Sequence, residues 1–299
     1  MTREAATLSP DRFLDRCLDS SPDRGLDRAV LAIALLVLAT LLAGASPAAA
    51  AFELDLPLEP APDEVDAEAL ARKADRQLRS DRTFLEASMT IESPRLPRPR
   101  VVAFRSWDDT KGERSLIRIL EPAKDEGTGF LKLHPNLWMY VPRVERTVRI
   151  PPSMMLQSWM GSDFSNDDLV RESSEIEDYD HRVLGVDPAT SDSVDRPAYV
   201  VEYVPHEEAA VVWGRIVAWL DRETGAPLRQ DFYDEEGERI RTMRFSDFRE
   251  IGARTVPHTW SMKPLDKPGH STTIRVETIR YDPEFDSGIF TTRNLKRTD

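Results

Sequence analysis

The chain has 299 residues, 31% of them charged and 40% hydrophobic, enough to bury one large core or two small ones. Its formal charge is -13, which excludes a nucleic-acid-tracking surface of clustered Lys and Arg and disfavours an anionic membrane as a bulk partner. Only a local basic patch escapes that argument.

In chain order, Arg24 and Arg28 precede an apolar run, Ala29 to Ala43, and Ala48, Ala49 and Ala50 follow it. This is the pattern of a signal peptide over residues 1–50, with cleavage near Ala50 and a Sec-type route to the periplasm. The run has fifteen residues, short of the roughly 20 that a spanning helix needs; an uncleaved anchor is the other arrangement it permits. Residues 1–28 carry six acids beside five arginines, irregular for a leader, so a start downstream of Met1 fits better. The single cysteine, Cys17, lies ahead of the apolar run rather than after it as lipidation requires. A mature chain from Ala51 then has no disulfide, cysteine-metal site or thiol nucleophile.

Residues 51–62 are punctuated by proline and read as a flexible lead-in, and 63–299 read as a single domain. Asp63 is placed to cap a helix over Glu64 to Arg79, whose Val65, Ala69, Leu70, Ala74 and Leu78 share a stripe. From Phe84 the period changes to two. Strands are expected over Phe84–Glu92, Val101–Trp107, Ser115–Leu120 and Phe130–Leu133. After a central stretch they resume over Tyr179–Val186, Tyr199–Val204, Val211–Leu220, Leu228–Tyr233, Arg239–Phe248, Arg254–Met262 and Thr272–Tyr281. Regular spacing without alternating helices points to an α+β, mainly antiparallel fold with one large sheet that curls. In Val211–Leu220, Val212, Ile216, Ala218 and Leu220 occupy one face and Val211, Trp213, Val217 and Trp219 the other. Either a helix covers the second face or a concave sheet lines an apolar cavity.

The central stretch, Leu131 to Glu172, is the most unusual. Pro151 and Pro152 can open a helix of about ten residues on which Met154, Met155, Leu156, Trp159 and Met160 cover nearly all the circumference. Such a helix is either core or the wall of an apolar ligand site, and unbranched methionines adapt to varied ligands. Gly161 would end it, and Ser165 with Asp168 makes a capping box for a second short helix. Asp163, Ser165 and Asp167 imitate the start of a calcium loop, but Asp168 stands where Gly is needed and Ser174 where Glu is needed, so no metal site is assigned. Arg143, Arg146 and Arg149 are cationic in an acidic chain. They fit a solvated strand face, a latch to Asp163, Asp167 or Asp168, or contact with a lipid phosphate or a partner's acidic edge.

Enzyme readings find no support: there is no nucleophile elbow, P-loop, zinc-protease helix or dinucleotide fingerprint. His134, His181, His206, His258 and His270 are scattered. No catalytic residue and no cofactor is assigned.

The run LWMYVPRVERTVRIPPSMMLQSWMGSDFSNDDLV (Leu137 to Val170) resembles the signature of the periplasmic outer-membrane lipoprotein-sorting protein family, the LolA/LolB-like group. The resemblance extends more loosely through GRIVAWLDRETGAPLRQDFYDEEG and VPHTWSM to FTTRNL. It implies an incomplete antiparallel β-barrel with helices as a lid over a hydrophobic cavity for acyl chains, and ligand transfer without nucleotide hydrolysis. It also implies transient contact with an inner-membrane exporter of ABC or RND type. Cavity and lid fall to Trp138, Met139, Tyr140, Met154, Met155, Leu156, Trp159, Met160 and Phe164. Latch or head-group contact falls to Arg143, Arg146, Arg149, Asp163, Asp167 and Asp168. A sensor or adaptor subunit of an export complex would use the same fold. Lacking a lipidation cysteine after its apolar run, the chain departs from LolB-type receptors.

Overall fold

Period-two patterning yields thirteen strands in the computed structural model, which describes residues 54, 56–170, 174–189, 194–209 and 211–297. The leader and the start of the lead-in, with the expected cleavage site, lie outside the described residues. Residues from Pro57 onward form one unit. The strands are β1 (Arg82–Glu92), β2 (Arg100–Asp109), β3 (Arg114–Glu121), β4 (Gly129–Leu133), β5 (Asn136–Val141) and β6 (Arg146–Ile150), then β7 (Tyr179–Asp187), β8 (Ala198–Pro205), β9 (Arg215–Asp221), β10 (Pro227–Tyr233), β11 (Arg239–Ile251), β12 (Arg254–Pro264) and β13 (Ser271–Tyr281).

All thirteen belong to one antiparallel sheet. From β1 it runs through β2, β3, β4 and β5 to β6 on one side, and through β13, β12, β11, β10, β9 and β8 to β7 on the other. Its end strands do not pair, so the sheet is a curled, incomplete barrel with few helices, as expected. β1 sets Thr83 opposite Tyr281 and Glu92 opposite Ser271, closing the seam between the first and last strands. Strands β5 and β6 were not expected from alternation. LWMYV is apolar at every position because both faces of β5 are covered, so the period disappears.

The concave face carries the main core: Met89, Phe104, Ile117, Phe130, Ile216 and Phe232 are all nearly inaccessible. Against it lies α1 (Ala67–Leu78), presenting Ala71 and Ala74. Asp66, not Asp63, is its cap, accepting from the Ala69 N–H at 3.1 Å. At its other end Arg254 donates to the Arg79 carbonyl at 2.7 Å, a cation satisfying C-terminal carbonyls. The lead-in is not wholly free chain either, since Glu59 and Val186 exchange backbone hydrogen bonds of 2.8 Å at the β7 edge.

The convex face is sealed in two ways. Beyond α2 (Asn166–Val170) in sequence, the C-terminal segment with α3 (Thr292–Leu295) buries Phe290 and Leu295 against Leu116, Leu131 and Tyr140 over β3–β5. Over β9, the inner face lines an apolar cavity through Ile216, as one of the two expectations had it, while on the outer face Trp219 lies under the Arg229 guanidinium, 4.4 Å from its ring, and donates to Asp187 at 3.0 Å. Val211 and Trp213 lie before the strand begins at Arg215, and both pack on the concave core instead of opposite it.

Candidate functional site, a strapped cavity

The segment between Ile150 and Tyr179 lies in sequence between the two end strands of the sheet; its described residues, 151–170 and 174–178, we call the strap. It is not the expected ten-residue helix. Pro152–Met154 forms one 3-10 turn and Trp159–Gly161 another, with Met160 at φ 53° and Gly161 at φ 77°. The reason is that the segment folds back on itself. The Trp159 N–H donates to the Phe164 carbonyl at 2.8 Å, the Asn166 N–H to the Gln157 carbonyl at 3.0 Å, and the Asp167 N–H to the Met155 carbonyl at 3.0 Å. These reversals consume groups that a continuous helix would pair internally. The second helix, α2 (Asn166–Val170), forms as expected. Its capping box is explicit: the Ser165 N–H donates to Asp168 Oδ2 at 2.7 Å and the Asp168 N–H to Ser165 Oγ at 3.2 Å.

Three strands fasten the strap. Arg100 of β2 donates to the Met160 carbonyl at 2.7 Å. Thr272 of β13, wholly buried, donates to Asp163 Oδ2 at 2.7 Å and accepts from the Asp163 N–H at 3.0 Å. Arg241 of β11 grips Asp168 with two hydrogen bonds, 2.7 and 2.6 Å, a bidentate pair. The Arg241 guanidinium is also held between Trp213 and Phe232, 4.3 and 4.4 Å from their ring centres. Burial acts to raise the Asp168 carboxyl, but the charge and hydrogen bonds of Arg241, with those of Ser165, outweigh it and hold the group below its ordinary value.

The expected site residues separate into groups. Phe164 lines the cavity; Met139, Met155, Trp159 and Met160 pack with the concave core. Trp159 is fully buried, its ring 5.6 Å from Phe104 and 5.4 Å from Phe130, while its indole N–H has no hydrogen-bond partner. Trp138 and Tyr140 belong elsewhere. Alternation along β5 turns them to the convex cluster under the C-terminal segment, so they do not line the cavity. Met154 and Leu156 are exposed. The latch expectation is corrected too: Arg143, Arg146 and Arg149 lie exposed on the β5–β6 hairpin, and among the described residues none pairs with Asp163, Asp167 or Asp168. Pro151 and Pro152 carry the chain away from the hairpin, and the acid is met by Arg241.

Beneath α1 and the strap lie two adjoining cavities of about 100 and 80 Å³, with Leu78, Arg79, Asp168 and Trp260 in the walls of both. Phe164, Tyr203, Trp213, Ile216, Phe232 and Met243 make the first mainly apolar. Burial pushes the phenol of Tyr203 well up, keeping it neutral there.

One cluster resembles hydrolytic machinery without its geometry. Ser93 Oγ is 3.2 Å from His270 Nε2, but His270 Nδ1 is 3.9 Å from Asp163, beyond hydrogen-bonding distance, and neither cavity reaches Ser93. Among the described residues, no three His, Cys, Asp or Glu side chains stand together as metal ligands.

A family model described only as "Uncharacterized protein" matches residues 111–297. The fold is shared with an outer membrane lipoprotein-sorting protein domain from Vibrio parahaemolyticus (TM-score 0.66, 23% identity, covering 77% of this chain and 98% of that one). It is also shared with a DUF1329 family protein from Desulfovibrio piger (0.66, 25%, 76% and 97%) and a LolA superfamily protein from Nitrosomonas europaea (0.63, 21%, 77% and 99%). The chain belongs to the family of that model, and its fold is LolA-like. No curated protein matches its sequence. Within this LolA-like fold the strap, the Arg241–Asp168 pair and the apolar chamber under α1 form one site.

Proposed function

We propose that this LolA-like protein is a periplasmic carrier. It takes acyl chains of a lipoprotein or lipid from an inner-membrane exporter of ABC or RND type, holds them in the chamber under the strap, and moves them toward the outer membrane. The carrying observation is the strap. Over residues 151–170 the strap, which follows one unpaired end of the sheet, lies against an apolar wall and is fastened to it by a few polar contacts. Its indole N–H is buried unsatisfied, which costs about 1–3 kcal/mol and favours a second position. Cavities of about 100 and 80 Å³ are far below the roughly 300 Å³ of a small-ligand pocket. Loading therefore requires the strap to withdraw, exposing Phe104, Ile117 and Phe130 to the ligand. Binding by apolar burial, about 25 cal/mol per Å² before association costs, gives weak selectivity for one chain. No bond of the cargo is made or broken in this reading.

The test is titration with a fluorescent fatty acid. Saturable binding that is lost in Ile216→Trp, where the indole fills the first cavity, supports the carrier. A folded wild-type protein that binds no probe and yields no lipid on extraction from its own cell envelope overturns it.

A further inference from the structure

The β5–β6 hairpin and the first turn of the strap carry features that the chamber does not use. Among the described residues, the exposed large apolar side chains include Val144 (60% exposed), Val148 (48%), Met154 (38%) and Leu156 (56%). Those four fall within one short run of sequence. Interleaved with them are Arg143, Arg146 and Arg149, all exposed and, among the described residues, without an ion-pair partner. Over residues 142–157 three arginines stand against one acid, Glu145, for a net charge of +2 in a chain of -13.

We propose that this rim is a docking surface for an anionic phospholipid bilayer, with Val144, Val148, Met154 and Leu156 entering the interface and the three arginines meeting lipid phosphates. Val148, opposite Met139, and Arg149, opposite Trp138, project from the two faces of the hairpin, so the rim meets the bilayer edge-on. A fluid interface accommodates apolar groups and gathers anionic lipids around guanidinium groups on both sides of that edge. Pairing with a strand of another protein is less suited. β6 is only five residues long and is bracketed by Pro142 and by Pro151 and Pro152, which remove backbone donors at both ends. The negative charge elsewhere is repelled by the same membrane, so it orients the protein with this rim downward. Docking also touches the strap directly. The Met154 carbonyl accepts from Asn166 Nδ2 at 2.9 Å and the Met155 carbonyl from the Asp167 N–H, so the exposed turn is tied to the helix that carries Asp168. The inference does not depend on what the chamber carries.

The experiment uses the full chain with Cys17→Ser and an environment-sensitive fluorophore on Val148→Cys, compared with the same label on Glu236→Cys in the exposed β10–β11 turn. Vesicles of phosphatidylglycerol and phosphatidylethanolamine are added, with phosphatidylcholine vesicles as reference. The expected result is a blue shift at residue 148 and none at 236, abolished by high salt and by phosphatidylcholine alone. Combined Arg143→Glu, Arg146→Glu and Arg149→Glu should weaken binding on the order of a hundredfold or more, from about 1 kcal/mol per arginine near an anionic surface. Unchanged circular dichroism shows that the variant is folded. Equal shifts at both labels, binding unaffected by the three reversals, or a shift at residue 148 caused only by the acidic periplasmic part of a membrane protein would each overturn the proposal. Failure here leaves fatty-acid binding by the chamber intact, and failure of the chamber leaves the vesicle result intact.

Discussion

The carboxylate of Asp168 does two things at once: it closes the capping box of α2 and accepts both hydrogen bonds of Arg241. Removing Arg241 therefore leaves a largely buried charge without its partner. Arg241→Met should lower stability by about 3 kcal/mol in urea unfolding, whereas Ser165→Ala, which spares the pair, should cost only about 1 kcal/mol. The pair also sets a pH dependence. Because the folded-state carboxyl sits below its ordinary 3.8, the stability it contributes is complete above that value and is lost as pH falls through the lower folded-state value. In Arg241→Met burial acts with less opposition, so the carboxyl rises and its contribution to the acid-dependent loss shrinks. Near-ultraviolet circular dichroism across an acid titration reads this, and an unmoved midpoint would mean that the pair does not hold the strap. Asp168 was legible as a helix cap from its three-residue spacing to Ser165. Its partner was not, being 73 residues away. The available signal was alternation: Arg241 shares the concave face with Met243 and Phe245, an arginine where apolar residues belong.

At the scale of elements, the strap shows where periodicity misleads. Met154, Met155, Leu156, Trp159 and Met160 read as a helix from spacing alone, but backbone donors committed to Gln157, Phe164 and Met155 bend the chain back. Gly161, read as a terminator, does take up a left-handed conformation and ends a turn. Strands with one wet face were readable, while β5, covered on both sides, lost its alternation and sent Trp138 and Tyr140 to the wrong face. Two outcomes test how the strap is held. Trp159→Ala should cost about 3–5 kcal/mol. Trp159→Phe keeps ring contacts with Phe104 and Phe130 and removes the unsatisfied N–H, so it should lie within about 1.5 kcal/mol of wild type. Equal losses in chemical denaturation would deny that the N–H is a burden. In hydrogen exchange, amides of residues 152–165 should open well before those of β9; if both exchange only with global unfolding, the strap does not withdraw by itself.

For the molecule as a whole, strand count and the absence of alternating helices made a single curled antiparallel sheet readable, yet nothing local announces which strands are neighbours across the seam. That seam has a consequence for synthesis. Thr83 pairs with Tyr281, a separation of 281 − 83 = 198 residues, while every other strand pairing joins consecutive strands. As the chain emerges, β1–β6 and then β7–β12 can form as two ribbons, but β1 keeps a long bare edge until β13 arrives. A polypeptide stalled or cleaved before Ser271 therefore presents two further unpaired edges besides β6 and β7, namely β1 and β12, each eleven residues long, and exposed edges of that length recruit other chains. Ending the chain at residue 270 should give aggregates rather than a smaller soluble barrel, as size-exclusion chromatography would show. In the cell, whatever keeps nascent chains apart must attend this one until β13 has emerged.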